Sequence, residues 1–137
     1  MNRLLRVLVC SAILLLGACS SSPSRMNPRD IALTNYGVAI RWSEFEKALD
    51  FVAPAVRAQA PLTALESERF KQIQVTGYDV KTRTLQPDGG ILQTVEIRLI
   101  SKHTQLERTV IDHQAWTWDP EAKVYWLSSG LPDFNAP

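Results

Sequence analysis

Arg108, Asp112, Gln114 and Trp116 fall at even positions of one β-rich stretch, so on a strand they share a face. Their types suit a pocket: a carboxylate that can take up a proton, a guanidinium and an amide that orient polar groups, and an indole with flat apolar area. Tyr36 or Tyr78 beside Asp112 would add a hydroxyl able to stabilise an oxyanion, completing a proton-transfer pair. Against that chemistry, Arg108 and Gln114 favour an ionised, hydrogen-bonded carboxylate over a base of raised pKa. Tyr36, Arg108, Asp112, Gln114 and Trp116 are therefore the candidate pocket, better suited to holding a ligand than to turning one over.

Other constellations are thinner. Cys10 and Cys19 both precede the candidate domain, which leaves it no thiol nucleophile and no disulfide. His103 and His113 lack metal-ligand spacing, and His113 points away from its neighbour Asp112 if both lie on a strand. Gly89-Gly90 follows Pro87-Asp88 and precedes no helix, so it reads as a turn and not as a phosphate loop. Ser128-Ser129-Gly130 has no placed base and reads as a strand end and turn. No catalytic residue, metal site or cofactor site is expected.

Cys19 carries the sharper chemistry. Arg3 and Arg6 give a positive start, Val7 to Ala18 is almost wholly apolar, and Leu16-Gly17-Ala18-Cys19 closes the run. The apolar run is about a dozen residues, short of the roughly 18 to 20 a spanning helix needs, which disfavours an uncleaved anchor. Leu16-Gly17-Ala18-Cys19 resembles the lipobox of bacterial lipoproteins. The resemblance implies removal of a signal peptide, residues 1–18, and attachment of diacylglycerol (with palmitate-type chains) to Cys19, usually with an acylated amine. Two or three acyl chains anchor a protein stably, whereas one does so reversibly. Ser20 after the cysteine, in place of Asp, implies sorting to the cell outer membrane, with the protein lipid-anchored on its periplasmic side.

Without Arg3 and Arg6 the chain keeps 13 basic against 14 acidic side chains, a net charge of −1. That balance argues against nucleic acid as a partner and against a polybasic membrane patch. Residues 19–27 read as the acylated cysteine and a polar tether. Residues 28–137 are long enough for one core and are read as a single domain.

The elements that must position the pocket follow in order. Asn27-Pro28-Arg29-Asp30 is a helix start, and the first helix is expected over 28 to about 41. Ser43-Glu44-Phe45-Glu46 has capping-box spacing and suggests a second start, with Phe45, Ala48, Leu49 and Val52 inward and Pro54 as the stop; one continuous helix through Ser43 is the alternative. Thr63-Ala64-Leu65-Glu66 repeats the spacing and opens a third helix over 63–72. From Gln74 the apolar period falls to two, giving strands over 73–85, 91–100, 105–118 and 123–129, the first bent at Gly77. Pairing Leu99 with Leu106 would set Val95 beside Val110 and Arg98 beside Glu107, and turn Arg108, Asp112, Gln114 and Trp116 toward the helices. Tyr125 and Trp126 should return against Trp116 and Trp118, and Gly130 to Phe134 could cover an edge.

The fold class is thus α+β, with two to three N-terminal helices on the concave face of a curved four-stranded antiparallel sheet. On that order, on the Tyr36 to Trp42 helix leading into Ser43, on the Phe70 to Tyr78 passage, and on Trp116-Thr117-Trp118-Asp119 with Tyr125-Trp126-Leu127, residues 28–132 resemble the nuclear transport factor 2-like superfamily, a cystatin-like α+β plan. The resemblance implies a cone with a pocket, used there by isomerases and dehydratases, by ligand holders and by interaction subunits, so fold alone does not choose. Three readings compete: a non-catalytic envelope subunit with an envelope protein partner or a second copy of itself, a small-molecule holder, and an isomerase-like enzyme using Asp112. The first leads, because the anchor is specific and the catalytic set is thin.

Overall fold

The structure, a computed structural model, describes residues 26–134. The signal segment, Cys19 and most of the tether lie outside the described residues.

Helix α1 (Pro28–Arg41) starts as expected: the Asn27 side chain accepts from the Arg29 amide at 3.0 Å, and Pro28 takes the first turn. Leu33, Tyr36, Gly37 and Ile40 recur at three- and four-residue steps and are buried against the sheet. The helix stops at a corner where Ser43 adopts φ 60°, its amide bonding to Ile40 O at 2.9 Å and that of Glu44 to Ala39 O at 2.8 Å. This is a Schellman termination, with serine where glycine is usual.

The expected capping box at Ser43 therefore does not form. The Ser43 hydroxyl instead accepts from the Val75 amide at 2.9 Å, tying the corner to the sheet, and helix α2 (Phe45–Ala48) begins without a side-chain cap. It tightens into a 3-10 turn (Leu49–Phe51), and Pro54, which ends that run, opens a separate helix α3 (Pro54–Gln59). Helix α4 (Ala64–Lys71) does carry the reciprocal box: the Glu66 amide donates to Thr63 Oγ1 at 3.2 Å and the Thr63 amide to Glu66 Oε2 at 2.9 Å. Among the described residues the helical layer thus has four α-helices, three of them short, where two to three helices were expected.

Strands β1 (Ile73–Leu85), β2 (Ile91–Ser101), β3 (Glu107–Asp119) and β4 (Val124–Leu127) form an antiparallel meander in chain order. Register shifts at Val75/Gly77 and Val80/Thr82 bend β1. At Gly77 a Cβ would come within 2.6 Å of the Arg98 guanidinium, which crosses the strand to pair with Asp79 at 2.8 Å. The sheet is curved and open, with the helices against one face.

The β2–β3 register differs from expectation by two residues: Val95 faces Asp112, Leu99 faces Arg108, and Arg98 faces Thr109 instead of Glu107. The connection is longer than a simple pairing of Leu99 with Leu106 allows. It closes through Ser101 N to Leu106 O at 3.1 Å and Gln105 N to Ser101 O at 2.8 Å, with Gln105 at φ 58°. A slip of two leaves every side chain on its expected face.

The tail from Gly130 does not cover a sheet edge. That role falls to Val52 and Ala53, the latter donating to Leu127 O at 2.9 Å beside β4. Gly130, at φ 78°, turns the chain so that Phe134 enters the core, 4.8 Å from the Phe45 ring and 5.8 Å from Phe70. Because Phe134 closes a three-ring cluster and is buried, Phe134→Ala should cost on the order of 3 kcal/mol. A urea midpoint unchanged from wild type would contradict this packing.

Candidate functional site

Alternation along β3 turns Asp112, Gln114 and Trp116 inward, and pairing sets them opposite Val95, Gln93 and Ile91 of β2. All three β3 side chains are buried, as is Gln93. Gln114 is the hub. Its Nε2 donates to Asp112 Oδ2 at 2.7 Å and to the Tyr78 hydroxyl at 3.1 Å. Its Oε1 accepts from Gln93 Nε2 at 3.0 Å and from Trp116 Nε1 at 3.2 Å. Both donors and both acceptor positions of the amide are used, and a flipped amide would set donor against donor at Trp116. Gln93 in turn accepts from Arg83 Nε at 2.6 Å, carrying the chain of bonds out to solvent.

Tyr36 of α1 reaches the same cluster by its ring, edge-on to Trp116 at 5.3 Å and to Phe51 at 6.0 Å. Its fully buried hydroxyl has no hydrogen-bond partner among the described residues. Burial, with Asp112 and Tyr78 adding to it, raises the Tyr36 pKa well above the usual phenol value. Burial pushes Tyr78 up to about 12, against the lowering effect of the Gln114 bond. Asp112 is likewise raised by burial, opposed by Gln114 and by the charge of His113.

Four of the five expected residues, Tyr36, Asp112, Gln114 and Trp116, thus meet. Arg108 does not join them. It lies exposed opposite Leu99, toward the other end of the sheet, and its guanidinium donates to Phe134 O, holding the tail. The Asp112 carboxyl also differs from expectation in the direction of its pKa, which is raised. Without Arg108 nearby, desolvation outweighs the hydrogen bond and shifts the carboxyl toward its neutral form. Gln93 and Arg83 were not anticipated, although Gln93 shares the parity of Ile91 and Val95 and could have been placed from it.

The cluster is buried, and its polar groups other than the Tyr36 hydroxyl are bonded to one another. Among the grooves that indent the surface of the described residues, three hold about 340 to 400 Å³, and Tyr36, Asp112, Gln114 and Trp116 line none of these three. The first runs between Phe45 and Phe70 with Lys47, Lys71 and Lys102 at its rim. The second lies under the tail. The third, about 370 Å³, is bounded by Ile31 and Ala32 of α1, Phe51, and Val124, Tyr125 and Trp126 of β4.

Elsewhere the polar residues serve the backbone. His113 is exposed on the outer face, its Nδ1 3.3 Å from Thr94 Oγ1, and His103 sits in an exposed turn. The Gly90 amide donates to Asp88 Oδ1 at 2.9 Å in the β1–β2 turn, and Tyr125 donates to Gly89 O at 3.1 Å, so this turn is fastened to β4. Ser128 Oγ donates to Ala115 O at 3.0 Å and Ser129 Oγ accepts from the Ala115 amide at 3.2 Å. Among the described residues no group of three His, Cys, Asp or Glu side chains could hold a metal ion.

Two outcomes follow from this packing. Tyr36→Phe removes an unpaired buried hydroxyl while keeping the ring contacts, so it should be neutral or stabilising by up to about 1 kcal/mol, read as the urea midpoint. Asp112 has a folded pKa above its unfolded value of about 3.9, so the folded state holds this proton more tightly. Its contribution is full below the unfolded pKa and is lost as pH rises through the raised value. Asp112→Asn should therefore gain stability relative to wild type as pH rises from 3.5 to 7. A difference between the two proteins that stays constant with pH would contradict the shift.

No family model, curated protein or solved structure matches this chain, so the arrangement is read from its own residues.

Proposed function

We propose that this chain is a lipid-anchored envelope protein, held at the periplasmic side of the outer membrane through Cys19, whose folded part is a non-catalytic interaction or accessory module. The observation that carries the second half is the closed Gln114 network. Asp112 and Tyr78, two of the residues best suited to proton transfer, are each bonded to Gln114 in the core, and neither lines any of the three grooves described above. A general base must reach the proton it removes, and Asp112 is 7% exposed with its Oδ2 already accepting from Gln114. The first half is supported by Leu16-Gly17-Ala18-Cys19 and the charged, then apolar, run before it. Among the described residues no helix is long and apolar enough to cross a membrane, which fits attachment by lipid.

Helices followed by an antiparallel meander bent at Gly77 support the nuclear transport factor 2-like resemblance. In this reading the partner is another envelope protein, met through a surface groove and not through the interior. The outer sheet face offers little apolar area for it: Leu92 and Ile111 stand exposed among Thr94, Glu96, Arg98, Thr109 and His113. A second reading, a holder for a small apolar molecule, is favoured by the groove between Ile31, Phe51 and Trp126. Intact-mass measurement after gentle purification separates the two, since a holder co-purifies with bound mass.

The anchor is tested by mass and fractionation. The wild-type chain should accumulate as residues 19–137 carrying acyl chains, in the outer-membrane fraction, and Cys19→Ala should yield no acylated species. A mature protein cut elsewhere or free of lipid would remove the anchor. Affinity capture from native membranes should bring down a stoichiometric envelope protein, and a lone protein would count against the accessory role.

A further inference from the structure

Helix α1 has two apolar faces, of which the fold uses one. On the other, Ile31, Asn35, Val38 and Trp42 follow at steps of four, three and four and form one line along the helix. Ile31 is 42% exposed, Val38 47% and Trp42 72%, and Met26, just ahead of the helix, is 57% exposed. Three observations bear on what this line meets.

The first is position. Asn27, the cap, is eight residue steps from Cys19, and at about 3.3 to 3.6 Å each they hold the start of α1 within roughly 30 Å of the bilayer. A helix of 14 residues is about 21 Å long, so this length of chain lets it lie flat on the surface. The second is chemistry. An exposed tryptophan at the end of the line matches the amphipathic groups that settle at headgroup depth, while Arg41 beside it is engaged within the fold, donating to Tyr78 O at 2.9 Å. The acid of the first turn, Asp30, is paired with Arg29 at 3.2 Å, and no acidic side chain stands in the line itself. The third is area. Ile31, Val38 and Trp42 together present on the order of 300 Å², well under the ~800 Å² per partner of a stable protein interface, whereas insertion among lipids needs no complementary surface.

We propose that the outer face of α1 is a lipid-contact surface: with the chain anchored at Cys19, Ile31, Val38 and Trp42 enter the headgroup region and lay the helix along the bilayer. This rests on acylation of Cys19 and adds to it an orientation. The domain is then held at two places, the sheet's outer face turns away from the lipid, and the proteins it can meet are restricted accordingly.

The test uses the full acylated protein in phosphatidylethanolamine–phosphatidylglycerol vesicles whose acyl chains are brominated near the headgroup, compared with unbrominated ones. Of four tryptophans, Trp116 is buried and Trp118 and Trp126 are half-buried, so Trp42 is the one placed to be quenched. Wild type should lose up to about a quarter of its emission, one tryptophan in four, and Trp42→Phe should lose almost none. Equal quenching of the two proteins, or none in a protein that floats with the vesicles, overturns the proposal. So does efficient disulfide cross-linking of Val38→Cys between copies on the vesicle, which would make a second copy the occupant. A protein that neither floats nor carries acyl mass overturns it together with the anchor, and its intact mass identifies that as the cause.

Discussion

A primary amide buried with all four of its hydrogen-bonding positions filled is the interaction on which this fold depends. Gln114 joins β2 through Gln93, β1 through Tyr78 and its own strand through Asp112 and Trp116, and Trp116 carries the contact on to the Tyr36 ring of α1. In a low-dielectric interior each of these bonds is stronger than in water, and each group would be costly if left alone. The network also selects the register. A slip of one residue between β2 and β3 would turn Gln114 and Asp112 to the outer face and bring His113 inward. The polar core thus discriminates among alternative pairings that apolar side chains alone would accept more readily.

Much of this architecture is legible in the sequence because its periodicities are clean. The start of α1 at Pro28, the capping box at Thr63, the change of period near Ile73 and the bend at Gly77 all stand where local chemistry puts them. Ser43 and Thr63 mark the boundary of that approach. Both open an S/T-x-x-E spacing, yet Thr63 caps a helix and Ser43 ends one, because its hydroxyl is engaged by Val75, thirty-two residues away. A local pattern cannot report a bond to a strand formed later in the chain. The β2–β3 register was missed for a related reason: the length of its connection is decided by a left-handed Gln105, a residue type with no turn signature.

The candidate site was legible in part and for the same reason. Strand parity placed Asp112, Gln114 and Trp116 on one face, and parity is all that alternation can supply. It could not show that Arg108, on that same face, lies beyond the end of the cluster and holds the tail, nor that Gln114 binds Asp112, Tyr78, Gln93 and Trp116 to one another. Polar residues gathered on an inward face look alike in sequence whether they serve a ligand or one another. Here each side chain's partners make the distinction. Every donor and acceptor of the central amide is engaged within the chain, and the concave spaces of the surface lie elsewhere, between elements joined by apolar contacts.

The tail that ends in Phe134 bears on how such a chain comes to be folded at all. Phe45 and Phe70 face each other across α2 and α4 early in the sequence, but the ring that completes their cluster arrives more than sixty residues after Phe70. A polypeptide made from its amino end therefore holds Phe45 and Phe70 without their third ring until Phe134 is added, so the cluster depends on a contact distant in sequence. Arg108, donating to the Phe134 carbonyl, then fixes the segment that carries this ring.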